Sequence, residues 1–466
     1  MTHLHASLNK SAEQDAAPCS NVGHQREFCD HPPPLSVAAA MAEASRCYYC
    51  YDAPCMNACP TQINVPQFIQ RISEHNIRGA AQSILSANEL GGMCARVCPT
   101  EVLCEQACVR QTQEQKPVQI GRLQRYATDQ YFANPGQPLF QRAAATGKSV
   151  AVVGSGPAGL TVAHRLARQG HAVVIFDARP KLGGLNEYGL ARYKTSSDFA
   201  QAEIKWLLSI GGIEVRCQQT LGETIHLKQL QDEFDAVFLG LGLTAVNPLG
   251  IESPKLASVR EAVDFIADIR QADDLCEVEV GQRVIVIGGG MTAVDAAVQA
   301  KKLGADEVTM VYRRGEASFK ASPYEINWAR QNGVVIECWA RPEAIIMDDK
   351  LQGMSFIKTT EVEGQLLDTT TRFTLAADML LKAIGQRYLP WSDDQHPALE
   401  QGRIAVDEQC QTSIAGVWAG GDCVAGGADL TVDAVRLGQI AAHSIDTALR
   451  LDSRLCTAIE QERTHG

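Results

Sequence analysis

The stretch SVAVVGSGPAGL, residues 149–160, places a run of small apolar residues directly before three glycines. This pattern predicts a buried strand, a tight turn and the start of a helix. The glycines stand at positions 154, 156 and 159, in the spacing G-x-G-x-x-G. In that spacing the first glycine forms the turn, the second lets the backbone approach a pyrophosphate, and the third lets the helix pack closely on the strand.

Asp177 ends the next predicted strand, HAVVIFD at residues 171–177. A carboxylate at this point accepts hydrogen bonds from ribose hydroxyls, while the helix N-terminus faces the phosphates. A glycine turn without a ligand is the alternative, but the two strands and the acid in register favour a dinucleotide site. The candidate residues are Gly154, Ser155, Gly156, Pro157, Ala158, Gly159 and Asp177.

A second strand, turn and helix follow in RVIVIGGGMTAVDAAVQA, residues 283–300, with Gly288, Gly290 and Ala293 in the fingerprint spacing. Its partner strand EVTMVYRR ends in Arg313 and Arg314, with no acid at the ribose position. An arginine there suits a 2′-phosphate, which favours NADPH over NADH. Alternatively, these arginines are solvated and either cofactor is accepted. Two such units predict two dinucleotide-binding domains.

The C-terminal stretch GVWAGGDCVAGGADLTVDAVRLGQIAA, residues 416–442, predicts a strand, a Gly-Gly-Asp turn and a helix starting near Thr431. It resembles the second FAD motif of flavoproteins that contain two dinucleotide domains. The resemblance implies that Asp422 meets the ribityl chain and that the helix dipole favours a reduced flavin. FAD is therefore assigned to the first fingerprint and this segment, and NAD(P)H to the domain between them.

Eight of the sixteen cysteines lie between residues 47 and 108. Thiolates suit iron–sulfur clusters or zinc. Zinc ribbons pair two C-x2-C knuckles, but that spacing occurs once here, and two of the cysteines precede proline as in ferredoxins. This favours two [4Fe–4S] clusters, with zinc as the alternative. In ferredoxin-type runs the last cysteine binds the other cluster, so Cys59 need not share a cluster with Cys47, Cys50 and Cys55.

Length and pattern together predict the domain organisation of the 466-residue chain. We expect an α/β protein with an N-terminal all-α bis-[4Fe–4S] domain, followed by two Rossmann-like dinucleotide-binding domains. The expected parts are a flexible arm (1–34), the helical iron–sulfur domain (35–140), a discontinuous FAD domain (146–250 and 385–455) and an inserted NAD(P) domain (251–384).

Charge and hydropathy restrict the partners. The formal net charge is −12 and the sequence has no basic run, which disfavours nucleic acid and anionic membranes. No apolar stretch approaches the roughly 20 residues of a membrane span, and the N-terminus shows no apolar signal region. We therefore expect a cytoplasmic protein.

The order of a helical eight-cysteine region, a flavin domain and an inserted NAD(P) domain resembles the small subunit of bacterial glutamate synthase. It also resembles the electron-input half of dihydropyrimidine dehydrogenase and the separate bacterial subunit equivalent to that half. Three segments are similar to the dihydropyrimidine dehydrogenase branch: CYDAPCMNACPT (50–61), NELGGMCARVCPTEVLCEQAC (88–108) and IGRLQRYATD (120–129).

This resemblance implies two sets of cluster ligands. One cluster would be bound by Cys47, Cys50, Cys55 and Cys108, and the other by Cys59, Cys98, Cys104 and Gln124. Cys94 would then be a spare thiol. Without the resemblance, spacing assigns Cys94 as a ligand and leaves Gln124 as a surface helix residue.

The resemblance also implies cofactor contacts. The flavin contacts are the segment from Gly421 to Leu430, which includes Asp422, and in addition Val97, Gly184, Leu185, Lys194 and Thr431. The NAD(P) contacts are Gly288, Gly289, Gly290, Met291, Thr292, Ala293, Arg313, Arg314, Lys320, Ala383, Ile384 and Gly385. Met291 departs from the family, which more often has aspartate there.

Together these features predict a subunit that oxidises NAD(P)H with FAD and passes electrons through two clusters. An FMN-containing dihydropyrimidine dehydrogenase catalytic subunit would accept them and reduce uracil or thymine to the 5,6-dihydro product. We assign no catalytic acid or base. The alternatives are the small subunit of NADPH-dependent glutamate synthase and a non-catalytic zinc scaffold with vestigial nucleotide folds.

Overall fold

The computed structural model describes residues 27–252 and 256–464. It is an α/β structure in which a helical N-terminal region precedes two parallel sheets, as the sequence predicts. Residues 1–26 of the expected flexible arm lie outside the described residues.

The N-terminal region consists of short helices that begin at side-chain caps. Ser36, Asn64 and Asn76 each accept a hydrogen bond from a backbone N–H in the first turn of the helix that follows. Apolar residues of these helices, among them Phe68 and Ile84, form a buried core. The helices are Val37–Ala44, Pro54–Asn57, Val65–Ser73, Ile77–Ala87, Gly91–Val97, Val109–Glu114 and Ile120–Ala133, with a 3₁₀ turn at Thr100–Val102.

The first sheet has five parallel strands, and the stretch at residues 149–160 forms its central strand and turn. Its order is Val417–Ala419, Ala236–Leu239, Ser149–Val153, Ala172–Asp177 and Ile213–Cys217. The helices of this part are Pro157–Arg168, Leu185–Tyr188, Phe199–Leu208, Leu227–Glu233 and Thr431–Thr464.

The second sheet is also parallel and is inserted between strands of the first. Its order is Val259–Glu261, Met379–Lys382, Arg283–Ile287, Glu307–Tyr312 and Val335–Cys338. Its helices are Ala262–Gln271, Met291–Lys302 and Pro323–Gln331, with 3₁₀ turns at Leu275–Glu277 and Glu316–Ser318. The short strands Ala245–Val246 and Gln386–Arg387 pair where the chain passes between the two sheets.

We call the first sheet with its helices the first unit, and the second sheet with its helices the second unit. An antiparallel sheet extends the second unit. Its three strands are Ala340–Met347, Leu351–Val362 and Gln365–Ala376. Sequence analysis did not predict it, because the strand Gln365–Ala376 is mostly exposed, and its adjacent leucines and threonines interrupt the alternation of apolar and polar residues that marks a half-buried strand. A small hairpin, Leu399–Glu400 with Arg403–Ile404, lies in the first unit.

The prediction of a flexible arm is wrong for residues 27–34. Phe28 is only 4% exposed and belongs to the core around the second sheet. The His31 ring stacks on Trp328 with centroids 3.3 Å apart, and Asp30 pairs with Arg125 of the helical region. The arm was expected to be flexible because its composition is polar, but these few aromatic and charged side chains anchor it.

Within the described residues, we find no helix with the length and apolar character to cross a membrane.

Candidate functional site

The first glycine turn has the steric features that its sequence predicts. A Cβ on Gly159 would lie 1.9 Å from the Gly154 carbonyl oxygen, and Gly154 itself has a φ of +96°. A Cβ on Gly156 would meet nothing within 4 Å. The third glycine thus permits close packing, while the second faces open space where a pyrophosphate could approach.

Asp177 is tied to this turn. One of its carboxylate oxygens accepts hydrogen bonds from the Ser155 N–H at 2.8 Å and from the Ser155 hydroxyl. The other oxygen accepts from the Arg179 N–H at 2.8 Å. The carboxylate therefore fixes the turn against the second strand, and its contact with a ribose stays a prediction.

The C-terminal motif lies against the same turn. A Cβ on Gly438 would be 2.6 Å from the Ala158 carbonyl oxygen, and one on Gly421 would be 3.2 Å from the Ala158 Cβ. The helix that begins at Thr431 therefore packs on the helix that begins at Pro157. Two motifs more than 250 residues apart in the chain are therefore in contact.

The residues around this junction fit a bound flavin cofactor. The Asp422 carboxylate is partly buried and accepts no hydrogen bond from the part of the chain that the structure describes. Burial, with the nearby Asp429 carboxylate, raises the pKa of Asp422 to about 7. The apolar Leu185 side chain is 39% exposed beside Gly184, whose Cβ would come 2.8 Å from Gly156. A carboxyl group without a hydrogen-bond partner among the described residues and an apolar surface are thus left for a ligand.

Lys194 is engaged with the second unit. Its Nζ lies 2.8 Å from Asp295 and 2.9 Å from Glu325. Burial lowers the pKa of Lys194, but the two carboxylates outweigh burial and raise the pKa overall. The ammonium therefore links the segment after Leu185 to two helices of the second unit, and its predicted flavin contact stays a prediction.

The second glycine turn repeats the geometry of the first. A Cβ on Gly288 would lie 2.2 Å from the Ala383 carbonyl oxygen, and one on Gly290 would meet nothing within 4 Å. The Gly289 carbonyl accepts from the Lys320 N–H at 2.9 Å. The structure thus groups predicted NAD(P) contacts from three segments. Met291, Thr292 and Ala293 open the helix, and Ala383, Ile384 and Gly385 follow the neighbouring strand.

Two cationic side chains near this turn have no hydrogen-bond or ion-pair partner among the described residues. Arg313 and Lys320 are exposed, and their side chains make no hydrogen bond or ion pair within residues 27–252 and 256–464. Arg314 lies 4.0 Å from Glu361. Arg313 and Lys320 are therefore available for an anionic group of a nucleotide.

The first thiol group consists of Cys47, Cys50, Cys55 and Cys108. These four residues line one cavity, together with apolar residues that include Val65 and Ile69. Burial raises the pKa of Cys55 to about 12, and the neighbouring thiols of Cys47 and Cys108 contribute. Four thiols around an apolar cavity are a donor set suited to an iron–sulfur cluster.

The second thiol group consists of Cys59, Cys94, Cys98 and Cys104. A hydrogen bond with Cys94, together with burial, raises the pKa of Cys98, and Cys104 and Cys59 act on it as neighbours. Burial likewise raises the pKa of Cys104, where Cys59 and Cys55 contribute. The two thiol groups therefore adjoin. Cys94 is hydrogen-bonded to Cys98 within this group, and its role as a spare thiol stays a prediction.

Gln124 lies inside the molecule. It is 7% exposed, and its Nε2 donates to the Gly91 carbonyl at 2.7 Å. Its Oε1 accepts no hydrogen bond from the described part of the chain. The surface interpretation of Gln124 is therefore wrong, and an amide oxygen is left free for another partner.

Comparison with known proteins identifies both parts of the chain. Residues 24–135 match the family model described as dihydropyrimidine dehydrogenase domain II, 4Fe-4S cluster. Residues 148–438 match the family model of pyridine nucleotide-disulphide oxidoreductases.

Relatives extend this match to nearly the whole chain. The NAD-dependent dihydropyrimidine dehydrogenase subunit PreT of Escherichia coli K12 is 36% identical over 424 residues, covering 90% of this chain and 97% of PreT. This chain belongs to the PreT family. The glutamate synthase [NADPH] small chain of the same organism is 32% identical over 443 residues, covering 90% and 93%. The chain is thus an NAD(P)H-dependent oxidoreductase that uses FAD and [4Fe–4S] clusters, and the zinc-scaffold alternative is wrong.

Solved structures match about two thirds of the chain. Mycobacterium tuberculosis FprA in complex with NADPH aligns with a TM-score of 0.56 at 18% identity, over 66% of this chain and 86% of FprA. The thioredoxin reductase of T. acidophilum aligns with a TM-score of 0.50 at 21% identity, over 65% of this chain and 99% of the reductase. These matches confirm the predicted fold class.

Sequence analysis missed Glu203. This carboxyl is fully buried and accepts a hydrogen bond from the Gly92 N–H at 2.8 Å. It joins the helix Phe199–Leu208 of the first unit to the helix Gly91–Val97, which carries Val97 and a cysteine of the second thiol group. Glu203 follows the buried Phe199 by four residues, so both lie on the apolar face of the helix. A carboxyl group on an apolar face is the sequence signal that could have identified Glu203.

We expect Glu203→Gln to stabilise the protein at alkaline pH. Burial raises the pKa of Glu203 from 4.5 to about 8. Because folding raises this pKa, the carboxyl's contribution to stability is complete below about pH 4.5, falls as pH rises, and is lost above pH 8. The neutral amide avoids this loss, on the order of 4 kcal/mol at pH 8. Thermal unfolding of the holoprotein from pH 5 to 9 measures it.

The exposed Glu223→Gln is the matched control and should leave the pH profile of the Tm unchanged. A Glu203→Gln protein whose Tm falls with alkaline pH as steeply as that of the wild type would contradict this assignment.

Proposed function

We propose that this chain is the electron-input subunit of a dihydropyrimidine dehydrogenase. It would oxidise NAD(P)H at the junction of its two sheets and pass electrons to a separate FMN-containing subunit that reduces uracil or thymine. FAD, when bound, accepts two electrons as a hydride and releases them singly, and [4Fe–4S] clusters carry single electrons. The chain's own residues bind and orient these groups.

One observation carries the proposal: a single short helix connects the candidate flavin site to the thiols. The helix Gly91–Val97 contains Cys94 and is followed directly by Cys98, and Val97 packs against the cluster of Met93, Phe199 and Ala200. Glu203 holds its N-terminal end. This arrangement supports a direct path from flavin to the second thiol group, which adjoins the first.

Because the two thiol groups adjoin, the path can continue from the second thiol group to the first. Cys59 belongs to the second group, although Cys47, Cys50 and Cys55 just before it belong to the first. We therefore propose Cys47, Cys50, Cys55 and Cys108 as ligands of one cluster, and Cys59, Cys98, Cys104 and Gln124 as ligands of the other.

The reaction of the partner is proposed from the relatives. The matching PreT subunits are described as parts of NAD-dependent dihydropyrimidine dehydrogenase. The glutamate synthase small chain is the second candidate, and its identity to this chain is slightly lower, 32% against 36%.

Co-purification distinguishes the two candidates. The tagged chain is co-expressed either with an FMN-containing dihydropyrimidine dehydrogenase subunit or with a glutamate synthase large subunit. We expect a stable complex and NAD(P)H-driven uracil reduction with the first partner only. The isolated chain should reduce artificial acceptors but not uracil. Uracil reduction by the isolated chain, or assembly with the glutamate synthase subunit alone, would overturn the proposal.

We also propose that Arg313 gives the candidate NAD(P) site, at the second glycine turn, a preference for NADPH. Its unpaired guanidinium lies at the end of the strand Glu307–Tyr312, where a 2′-phosphate would be placed. Arg313→Ser should lower kcat/KM for NADPH by roughly tenfold and leave that for NADH within about twofold.

Steady-state kinetics with an artificial acceptor and both cofactors measures this. Arg216→Ser, which changes an exposed arginine of the first sheet, is the control. Equal losses with NADPH and NADH after Arg313→Ser would show that Arg313 does not read the 2′-phosphate.

A further inference from the structure

Asn186 is a buried amide with an unused donor. Its side chain is 2% exposed, in the short helix Leu185–Tyr188. Its Oδ1 accepts a hydrogen bond from the Thr431 hydroxyl at 3.0 Å. Its Nδ2 is fully buried and has no hydrogen-bond partner in the described part of the chain. A buried donor without a partner is unfavourable, so this group calls for an acceptor that the protein itself does not supply.

The neighbouring polar residue shows that this region can satisfy its own groups. Glu187 is equally buried, and its carboxylate accepts from Gln201 at 3.0 Å and from Gln271 at 2.8 Å. Arg270 lies 3.6 Å from it. The unpaired donor is therefore specific to Asn186 and is not a general feature of the segment.

The position of Asn186 indicates what the acceptor is. Gly184, two residues earlier, approaches Gly156 of the first glycine turn, where a Cβ would be 2.8 Å from the Gly156 Cα. Thr431, its hydrogen-bond partner, opens the C-terminal helix. The amide thus stands between the two motifs that together form the candidate flavin site, and the partly exposed Leu185 is next to it.

We propose that the Asn186 amide donates a hydrogen bond to the ring system of the flavin and that Thr431 is the positioning residue that orients it. This inference rests on the placement of FAD in the proposed function. The flavin ring offers carbonyl oxygens and ring nitrogens as acceptors. Their electron density rises on reduction, so a fixed donor stabilises the reduced form more than the oxidised form.

The test is the midpoint potential of bound FAD in the purified chain, measured by equilibration with a reference dye. Asn186→Asp keeps the acceptor for Thr431 but replaces the donor with an oxygen. We expect it to weaken binding of reduced FAD relative to oxidised FAD about tenfold, a shift of about 30 mV to more negative potential. The absorption spectrum of the bound flavin should change as well.

Two substitutions of Thr431 form a matched pair of variants. Thr431→Val removes the orienting hydroxyl and should shift the potential in the same direction by a smaller amount. Thr431→Ser keeps the hydroxyl and should leave the potential at the wild-type value. Unchanged potentials and spectra in both Asn186→Asp and Asn186→Leu, with FAD bound, would overturn the proposal.

An Asn186→Asp protein that retains its iron and its circular dichroism but loses FAD also supports the proposal. If that variant does not fold, Thr431→Val decides: a negative shift supports the role of the amide and an unchanged potential overturns it. None of these measurements uses the partner subunit. Failure of the proposed function would instead appear as a wild-type chain without FAD or without transfer to its partner.

Discussion

Cys108→Ser should remove one cluster and leave the other in place. Cys108 completes the cavity that Cys47, Cys50 and Cys55 line, so its loss takes a thiolate ligand from that cluster alone. The iron content should fall by half while bound FAD and its reduction by NAD(P)H persist. Cys59→Ala should likewise halve the iron, but by loss of the second cluster. Iron analysis and electron paramagnetic resonance of the dithionite-reduced proteins distinguish the two variants by their remaining signals.

Cys94 and Gln124 provide the control for this ligand assignment. The Cys94 thiol lies next to Cys98 and accepts a hydrogen bond from the Asn88 amide at 3.3 Å. If Cys94 is a spare thiol, Cys94→Ser keeps both clusters, whereas Gln124→Leu perturbs the second. The opposite pattern, in which Cys94→Ser loses iron and Gln124→Leu does not, would show that the second cluster has four cysteine ligands.

Gly159→Ala and Gly156→Ala should fail in different ways. The Cβ at position 159 would lie 1.9 Å from a backbone oxygen, which neither the helix nor the strand can accommodate without moving. We expect that variant to lose FAD and to unfold at lower temperature. The Cβ at position 156 meets no protein atom within 4 Å. That variant should keep its fold and weaken FAD binding by at least roughly tenfold, because the methyl group projects toward the pyrophosphate.

Fluorescence titration with FAD and thermal unfolding of the apoprotein separate these two effects. Gly364→Ala, at a hairpin turn where a Cβ also meets nothing, has a φ of +79° and should affect stability alone. Wild-type FAD affinity in Gly156→Ala would contradict the placement of the pyrophosphate at this turn.

Local sequence patterns predicted the parts of the site that depend on near neighbours. The turn at Gly154 and Gly159 needs only a strand, three glycines and a helix, all within 12 residues. The same holds for the second turn, where a Cβ at position 288 would collide with the Ala383 carbonyl oxygen and glycine avoids that collision. The pattern of eight cysteines likewise indicated two adjoining cluster sites.

Contacts between distant segments could not be predicted in this way. Glu203 and Gly92 are more than 100 residues apart, as are Lys194 and Asp295, and His31 and Trp328 are nearly 300 apart. Each side chain alone has an ordinary surface interpretation, and only the tertiary packing brings its partner near. Asn186 is the same case, since Thr431 reaches it from the other end of the chain.

We propose that electrons leave this chain through its clusters to an FMN-containing partner. The most direct test is NAD(P)H-driven uracil reduction by the co-expressed complex, with wild-type and Cys108→Ser subunits compared at equal FAD content. We predict that the wild-type complex forms one dihydrouracil per NAD(P)H oxidised. The Cys108→Ser complex should still reduce ferricyanide with NAD(P)H but lose uracil reduction. Uracil reduction at the wild-type rate in the Cys108→Ser complex would contradict the claim.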